Sequence, residues 1–190
     1  MQQINFICDH LPETVQQVIF ISSTSVYPEG GAQFDEESGA DQSHELFIAE
    51  ELLKKKLNEK LLILRCGGLM GYERVPGKYF AGKIGVRGGN NPVNYVHRDD
   101  VIRIILKAEE DNVCGETFNV VAPVHPLKKE VALKTIRQFN LSPPQFEDEK
   151  ANHNKLVNPD KLIRKLKYKF KYPDPMKFYY ELKDGVRFPE

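Results

Sequence analysis

The chain has 190 residues, 41% of them hydrophobic, a length and composition that suit one domain of ordinary size and exclude wholesale disorder. Its 27 basic residues balance 27 acidic ones, so net charge gives no reason to expect nucleic acid or an anionic membrane as the main partner. No apolar run approaches the roughly 18–20 residues that cross a bilayer, and MQQINFICDH lacks the basic start and apolar stretch of a signal peptide, so the cytoplasm is the expected compartment.

The first clear element is VIFI at 18–21, too short for a helix and apolar enough for a strand covered on both faces. It runs into Ser22, Ser23, Thr24 and Ser25, which puts several hydroxyls at the end of that strand. Over 45–57, Leu46, Ile48, Ala49, Leu52, Leu53 and Leu57 recur at helical spacing, with Glu50, Glu51 and Lys54 to Lys56 as the wet face. LLIL at 61–64 predicts a second buried strand. Val101, Ile104, Ile105 and Ala108 predict a helix over 100–108 whose start Asp99 or Asp100 caps, and TFNVV at 117–121 predicts a third strand. Strand, helix, strand, helix, strand implies a mostly parallel α/β sheet.

Beyond Val121 the character changes, which marks a smaller C-terminal section over 126–190. HPLKKEVALKTIRQF reads as a helix with Pro126 in its first turn, LSPP as a turn, and NPDKLIRKL as a helix capped by Asn158. In KLKYKFKYPDP, Lys165, Lys167, Lys169 and Lys171 alternate with Leu166, Tyr168, Phe170 and Tyr172. A cationic aromatic surface for nucleic acid would look like this, but so would an edge segment with one wet and one packed face, and the balanced charge favours the second. Cys8, Cys66 and Cys114 have neither the number of a disulfide framework nor the spacing of a zinc site, so reduced thiols and no metal are expected.

ISSTSVYP, DEES, AEELL, LLILRCGGLMG, NYVHRDDV and GETFNVV follow one another in the order found in the extended short-chain dehydrogenase/reductase superfamily, and the chain resembles its NAD-dependent epimerase/dehydratases, above all the atypical members. The resemblance implies a Rossmann-type parallel sheet binding NAD or NADP, with 1–125 as the C-terminal half of that domain plus a substrate loop. It implies a small-molecule substrate such as a sugar or nucleotide sugar. Ser23, four residues before Tyr27, matches the hydroxyl that polarises the substrate carbonyl or hydroxyl. Ser22, Ser23, Gly67, Gly68 and Leu69 would touch the cofactor, although the two glycines also suit a tight strand-to-loop turn. Arg74, Lys78, Lys83 and Arg87 of the substrate-side loop would meet phosphate or carboxylate, or form a solvated basic loop. His97 and Asp100 match the family's HxxD, with His97 on the substrate side or simply packed.

Two departures stand against activity. The family's YxxxK tyrosine and lysine, which supply acid/base chemistry while hydride moves, fall on Gln42 and Leu46. His44 is a substitute base or a helix cap. Nothing before Val18 contains a glycine, and no GxGxxG occurs, so the pyrophosphate-cradling half of the fold is not in this sequence. The expectation is an epimerase/dehydratase-like chain that is inactive by itself, with a non-catalytic binding module or a truncated product as rivals. A strand left without a neighbour on one edge also invites association with a second copy.

Overall fold

The computed structural model describes residues 2–147 and 155–181. Helix α1 (Gln2–Asp9) leads to strand β1 (Val18–Ser23), a short turn of 3-10 helix and strand β2 (Gln33–Phe34). Helix α2 (Glu45–Leu57) then returns the chain to β3 (Leu61–Cys66). An excursion follows through β4 (Gly68–Met70), α3 (Pro76–Phe80), β5 (Ile84–Val86) and β6 (Tyr95–His97) before α4 (Arg98–Glu110) and β7 (Glu116–Val120). The remainder is α5 (Lys128–Gln138), β8 (Gln145–Phe146), β9 (Leu156–Val157) and α6 (Asp160–Leu166).

β1, β3 and β7 form one parallel sheet in that order, Val18 opposite Leu61 and Leu62 opposite Glu116. The excursion and tail add parallel pairs β4–β6, β2–β9 and β5–β8. The sheet is the mostly parallel α/β arrangement that the three apolar runs predict, and of the Rossmann type that the resemblance implies. Its central strand is buried at all six positions because it has neighbours on both edges and helices on both faces. Leu62, Leu64, Phe118 and Val120 meet Val101, Ile104 and Ala108 of α4 and Leu162 and Leu166 of α6 on one face. On the other, Leu61 and Ile63 meet Leu53 of α2, with Ile4 and Cys8 of α1 closing over Val18 and Phe20.

β1 departs from the expected double cover: Ile21 is 48% exposed, because the strand lies at the sheet edge. α4 departs at its start. His97, not an aspartate, is the cap, its Nδ1 accepting from the Asp99 amide at 3.1 Å. Pro126 lies outside α5, whose cap is Leu127. The cap of α6 is Pro159 rather than Asn158, because the helix begins only at Asp160; Asn158 Oδ1, one residue earlier, accepts the Asp160 amide at 2.7 Å. The alternating lysines at 165–171 are exposed while Leu166 and Phe170 are buried in the core shared with α4. Of the expected C-terminal section at 126–190, residues 148–154 and 182–190 lie outside the described residues.

Candidate functional site

Ligands of parallel α/β sheets bind at the carboxyl ends of the strands, which here are Ser23, Cys66 and Val120. Ser22 points inward, its hydroxyl donating to Glu50 Oε1 at 2.6 Å. Ser23 is half-buried and stops the strand by capping the 3-10 turn: its Oγ accepts from the Ser25 amide at 3.1 Å, which leaves the hydroxyl proton for a ligand. Past the turn, Val26 and Tyr27 bury fully and anchor it.

Gly67 and Gly68 begin the next strand end, their amides donating to the Val120 and Asn94 carbonyls at 3.0 and 2.8 Å. A Cβ on Gly67 would overlap the Asn94 carbonyl oxygen and lie 2.7 Å from Val121, and one on Gly68 would lie 2.6 Å from the Tyr95 ring. The close packing of this chain alone therefore requires glycine at both positions. Gly68 is exposed at the strand end, while Leu69 packs into the core beside α4.

Behind this end lies a buried polar network that the sequence reading missed. Arg65 grips Glu50 through Nε, 3.1 Å from both carboxylate oxygens, and through a terminal nitrogen 2.7 Å from Oε2. Its other terminal nitrogen donates to the Tyr27 hydroxyl at 2.9 Å, and that hydroxyl donates to Asn119 Oδ1 at 2.8 Å. The Asn119 amide in turn donates to Glu36 at 2.6 Å. Glu50, placed on the wet face by its spacing, is 0% exposed. The available signal was Arg65 itself, a charge in an otherwise apolar strand that must find a carboxylate. Burial opposes the charge on Arg65, yet hydrogen bonds to Glu50 and the nearby Tyr27 hydroxyl raise its pKa above the ordinary value. Burial raises the Tyr27 pKa, against the lowering pull of Arg65.

The remaining expected residues are tied to different parts of the fold. Arg74 and Lys83 are exposed. Lys78 Nζ donates to the Glu73 carbonyl at 3.1 Å, and Arg87 pairs with Glu147 at 3.1 Å. His97 is fully buried, with Nδ1 capping α4, Nε2 3.2 Å from the Tyr179 carbonyl and its ring 3.9 Å from that of Tyr172. Both ring nitrogens are committed, and burial holds its pKa below the ordinary histidine value. Asp100 accepts from the Tyr168 hydroxyl and from the Lys171 and Tyr172 amides, pinning the C-terminal segment to α4. His44 caps α2, accepting the Leu46 amide at 3.2 Å. Gln42 is exposed just before α2, and Leu46 packs against the cluster of Val26, Tyr27 and Phe34.

Cavities of about 260 and 500 Å³ sit elsewhere, one touching Leu61 and Glu116 and the other Val18 and Leu57. Both lie toward the amino ends of the strands, away from Ser23. Among the described residues no cluster of three or more histidines, cysteines or acids could hold a metal ion, and no helix is long and apolar enough to cross a membrane. All three cysteines are free, and burial pushes the Cys66 thiol up to about 12.

No protein-family model matches the chain. Protein YeeZ of Escherichia coli K12 is 31% identical over 171 residues, which make up 87% of this chain and 62% of YeeZ. The chain therefore spans about three fifths of the curated relatives it matches. Human epimerase family protein SDR39U1, solved with NADPH, superposes with a TM-score of 0.73 at 15% identity, over 92% of this chain and 68% of its own. The dTDP-glucose 4,6-dehydratase of Bacillus anthracis, solved with NAD, superposes with a TM-score of 0.69 at 14% identity, over 92% of this chain and 63% of its own. The fold is that of the NAD-dependent epimerase/dehydratase proteins of the short-chain dehydrogenase/reductase superfamily.

Proposed function

We propose that the chain is the strand-end and substrate-side portion of an NAD(P)-dependent epimerase/dehydratase-like protein, acting on a small molecule of the sugar or nucleotide-sugar class, and that by itself it does not turn substrate over. The observation that carries this reading is the parallel β1–β3–β7 sheet whose carboxyl end presents the Ser23 hydroxyl beside the turn at Gly67 and Gly68.

The residues present fit only one end of a dinucleotide. Ser23 retains a proton to donate and Gly68 is open, whereas Ser22 is spent on Glu50, and the sequence holds no glycine-rich turn to cradle a pyrophosphate. A bound nicotinamide would supply hydride chemistry. The part left to this chain is to orient and polarise a substrate oxygen through Ser23. The positions for the acid/base pair hold Gln42, whose amide does not titrate, and Leu46, which packs into the core, so a proton acceptor is missing. His44 does not replace it while its Nδ1 caps α2.

Calorimetric titration with NADH and NADPH tests the reading. Binding weaker than low micromolar, short of about −8 kcal/mol, is expected, and tighter binding by the chain alone would overturn the incomplete cofactor site. Where activity is found in a longer version of the protein, Ser23→Ala should lower it far more than His44→Ala; the reverse order would move the site to His44.

A further inference from the structure

We propose that residues 168–181 form a proton-controlled strap: when His97 takes up a proton, the Asp99 carboxylate turns from Lys171 and Tyr72 to the imidazolium, and the far end of the strap comes loose from the β4–β6 face. The inference stands apart from the cofactor and substrate reading above and rests on the contacts around HRDD at 97–100.

The strap covers one face of the β4–β6 pair. Gly68, Met70, Tyr95 and His97 share that face by strand alternation, and Phe178 and Tyr180 pack over it with Met70, Val75 and Ala122. Its near end is fixed: the fully buried Asp100 carboxylate accepts the Tyr168 hydroxyl at 2.8 Å and the Lys171 and Tyr172 amides at 2.7 and 2.9 Å. Val124 and Lys134 hold its middle at the Pro173 and Met176 carbonyls. The far end is tied to Tyr72 and His97. Tyr72 donates its amide to the Tyr179 carbonyl at 3.0 Å and accepts the Glu181 amide at 3.1 Å, while His97 Nε2 lies 3.2 Å from the same Tyr179 carbonyl. Tyr72 itself has left-handed backbone, φ 51°, a strained state for an aromatic residue that persists only while its surroundings enforce it.

The imidazole sits where a proton changes its partners. Nδ1 accepts the Asp99 amide at 3.1 Å, so the neutral ring carries its hydrogen on Nε2 and donates it to the Tyr179 carbonyl. A proton taken from solvent goes to Nδ1, which then meets the Asp99 N–H donor to donor. An acceptor lies within reach, Oδ1 of the same residue at 3.9 Å. That carboxylate is already engaged: Oδ2 accepts Lys171 Nζ at 3.0 Å and the Tyr72 hydroxyl at 3.3 Å. Turning to the imidazolium exchanges a half-exposed lysine for a fully buried cation, a pairing that gains more in a low dielectric, and it frees both Lys171 and Tyr72.

The groups around the ring come from three elements. From α4, Asp99 and Asp100 favour the charged form; from the strap, Lys171 opposes it, as burial does, and the Tyr172 ring lies 3.9 Å away. From the turn after β4, the Tyr72 ring lies 5.7 Å away, and Arg98 stacks on that ring at 3.9 Å with Glu73 as its counter-ion. Gly71 closes the last side, where a Cβ would stand 2.5 Å from Nε2. Release of the far end uncovers the face that runs up to the exposed Gly68 of the candidate site. There the Tyr180 hydroxyl is buried with no hydrogen-bond partner among the described residues.

Two measurements on the 190-residue chain test this. Imidazole nitrogen resonances follow the His97 tautomer through pH, and amide exchange by mass spectrometry, corrected for its intrinsic pH dependence, follows the strap. Exchange over 172–181 is expected to quicken about tenfold or more with the midpoint of Nδ1 protonation, while peptides of α2 and β3 change far less. His97→Asn, which keeps an acceptor for the Asp99 amide, should abolish the acid response. Asp99→Asn should loosen the far end already at neutral pH and leave little further response. A strap indifferent to pH, a response that persists in His97→Asn, or one that spreads equally to α2 and β3 would overturn the proposal. If His97→Asn does not fold, Asp99→Asn decides alone: an acid response equal to that of the unaltered chain overturns it.

Discussion

β1 and β3 are adjacent strands of similar apolar sequence, paired residue for residue, yet they meet opposite fates. Leu64 is fully buried while its cross-strand partner Ile21 is 48% exposed. Ile63 is 1% exposed, and Phe20 beside it is only half-covered, by α1 and α2. Ser22 and Arg65 form the one pair buried on both strands, because both bond to Glu50. Burial is therefore set by the number of neighbouring strands, which a short apolar run does not encode.

The largest effect should come at that shared pair. Arg65→Met leaves the Glu50 carboxylate, 0% exposed, without its counter-ion, and removing one partner of a buried ion pair costs about 3–5 kcal/mol. Ser22→Ala removes one of several bonds to the same carboxylate and should cost about 1 kcal/mol. Urea unfolding of both variants checks the contrast. Equal losses would mean that Arg65 and Glu50 do not depend on each other.

Next in size is the apolar comparison. Ile63→Ala opens a cavity between α2 and the sheet and should cost about 3 kcal/mol, whereas Ile21→Ala should stay within about 1 kcal/mol. A similar loss at Ile21 in the isolated chain would show that its edge is already covered.

These contrasts also mark what the sequence could convey. The three strands and the helices over 45–57 and 100–108, the latter extended in the structure to Arg98–Glu110, are legible because their apolar spacing is local and continuous. α1 was not read, and its Ile4 and Cys8 gain meaning only against Val18 and Phe20. The short strands β2, β5, β8 and β9 pair across long stretches of chain and carry two or three residues each, too few for any period to register. At the candidate site, the expectation for Ser23 rests on the order of motifs, and the expectation that Gln42 and Leu46 stand where the family has its tyrosine and lysine rests on counting back along α2. Glu50 was misplaced because helical spacing gives a face and not its partner: one turn of α2 meets Arg65, and a position that reads as wet becomes the most enclosed charge in the network.

The smallest effect separates two histidines beyond the main sheet from the open β1 edge by pH. His97 and His125 are held below the ordinary histidine pKa of 6.5, in both cases by burial first. The Tyr179 carbonyl, Asp99 and Asp100 pull His97 the other way and Lys171 adds to its lowering, while the Val93 carbonyl opposes the shift at His125. A histidine whose pKa is lower folded than unfolded leaves the unfolded state binding more protons below 6.5, so its stabilisation is whole above that pH and is lost as pH falls toward the folded value. Stability should decline as pH falls below about 7 toward the folded values of these two histidines. His97→Asn keeps an acceptor for the Asp99 amide and, combined with His125→Asn, should flatten that decline, whereas Ile21→Ser on the open side should leave its slope unchanged. Chemical denaturation repeated at stepped pH measures it: a decline that survives in the double variant would mean that these two histidines do not carry the pH response.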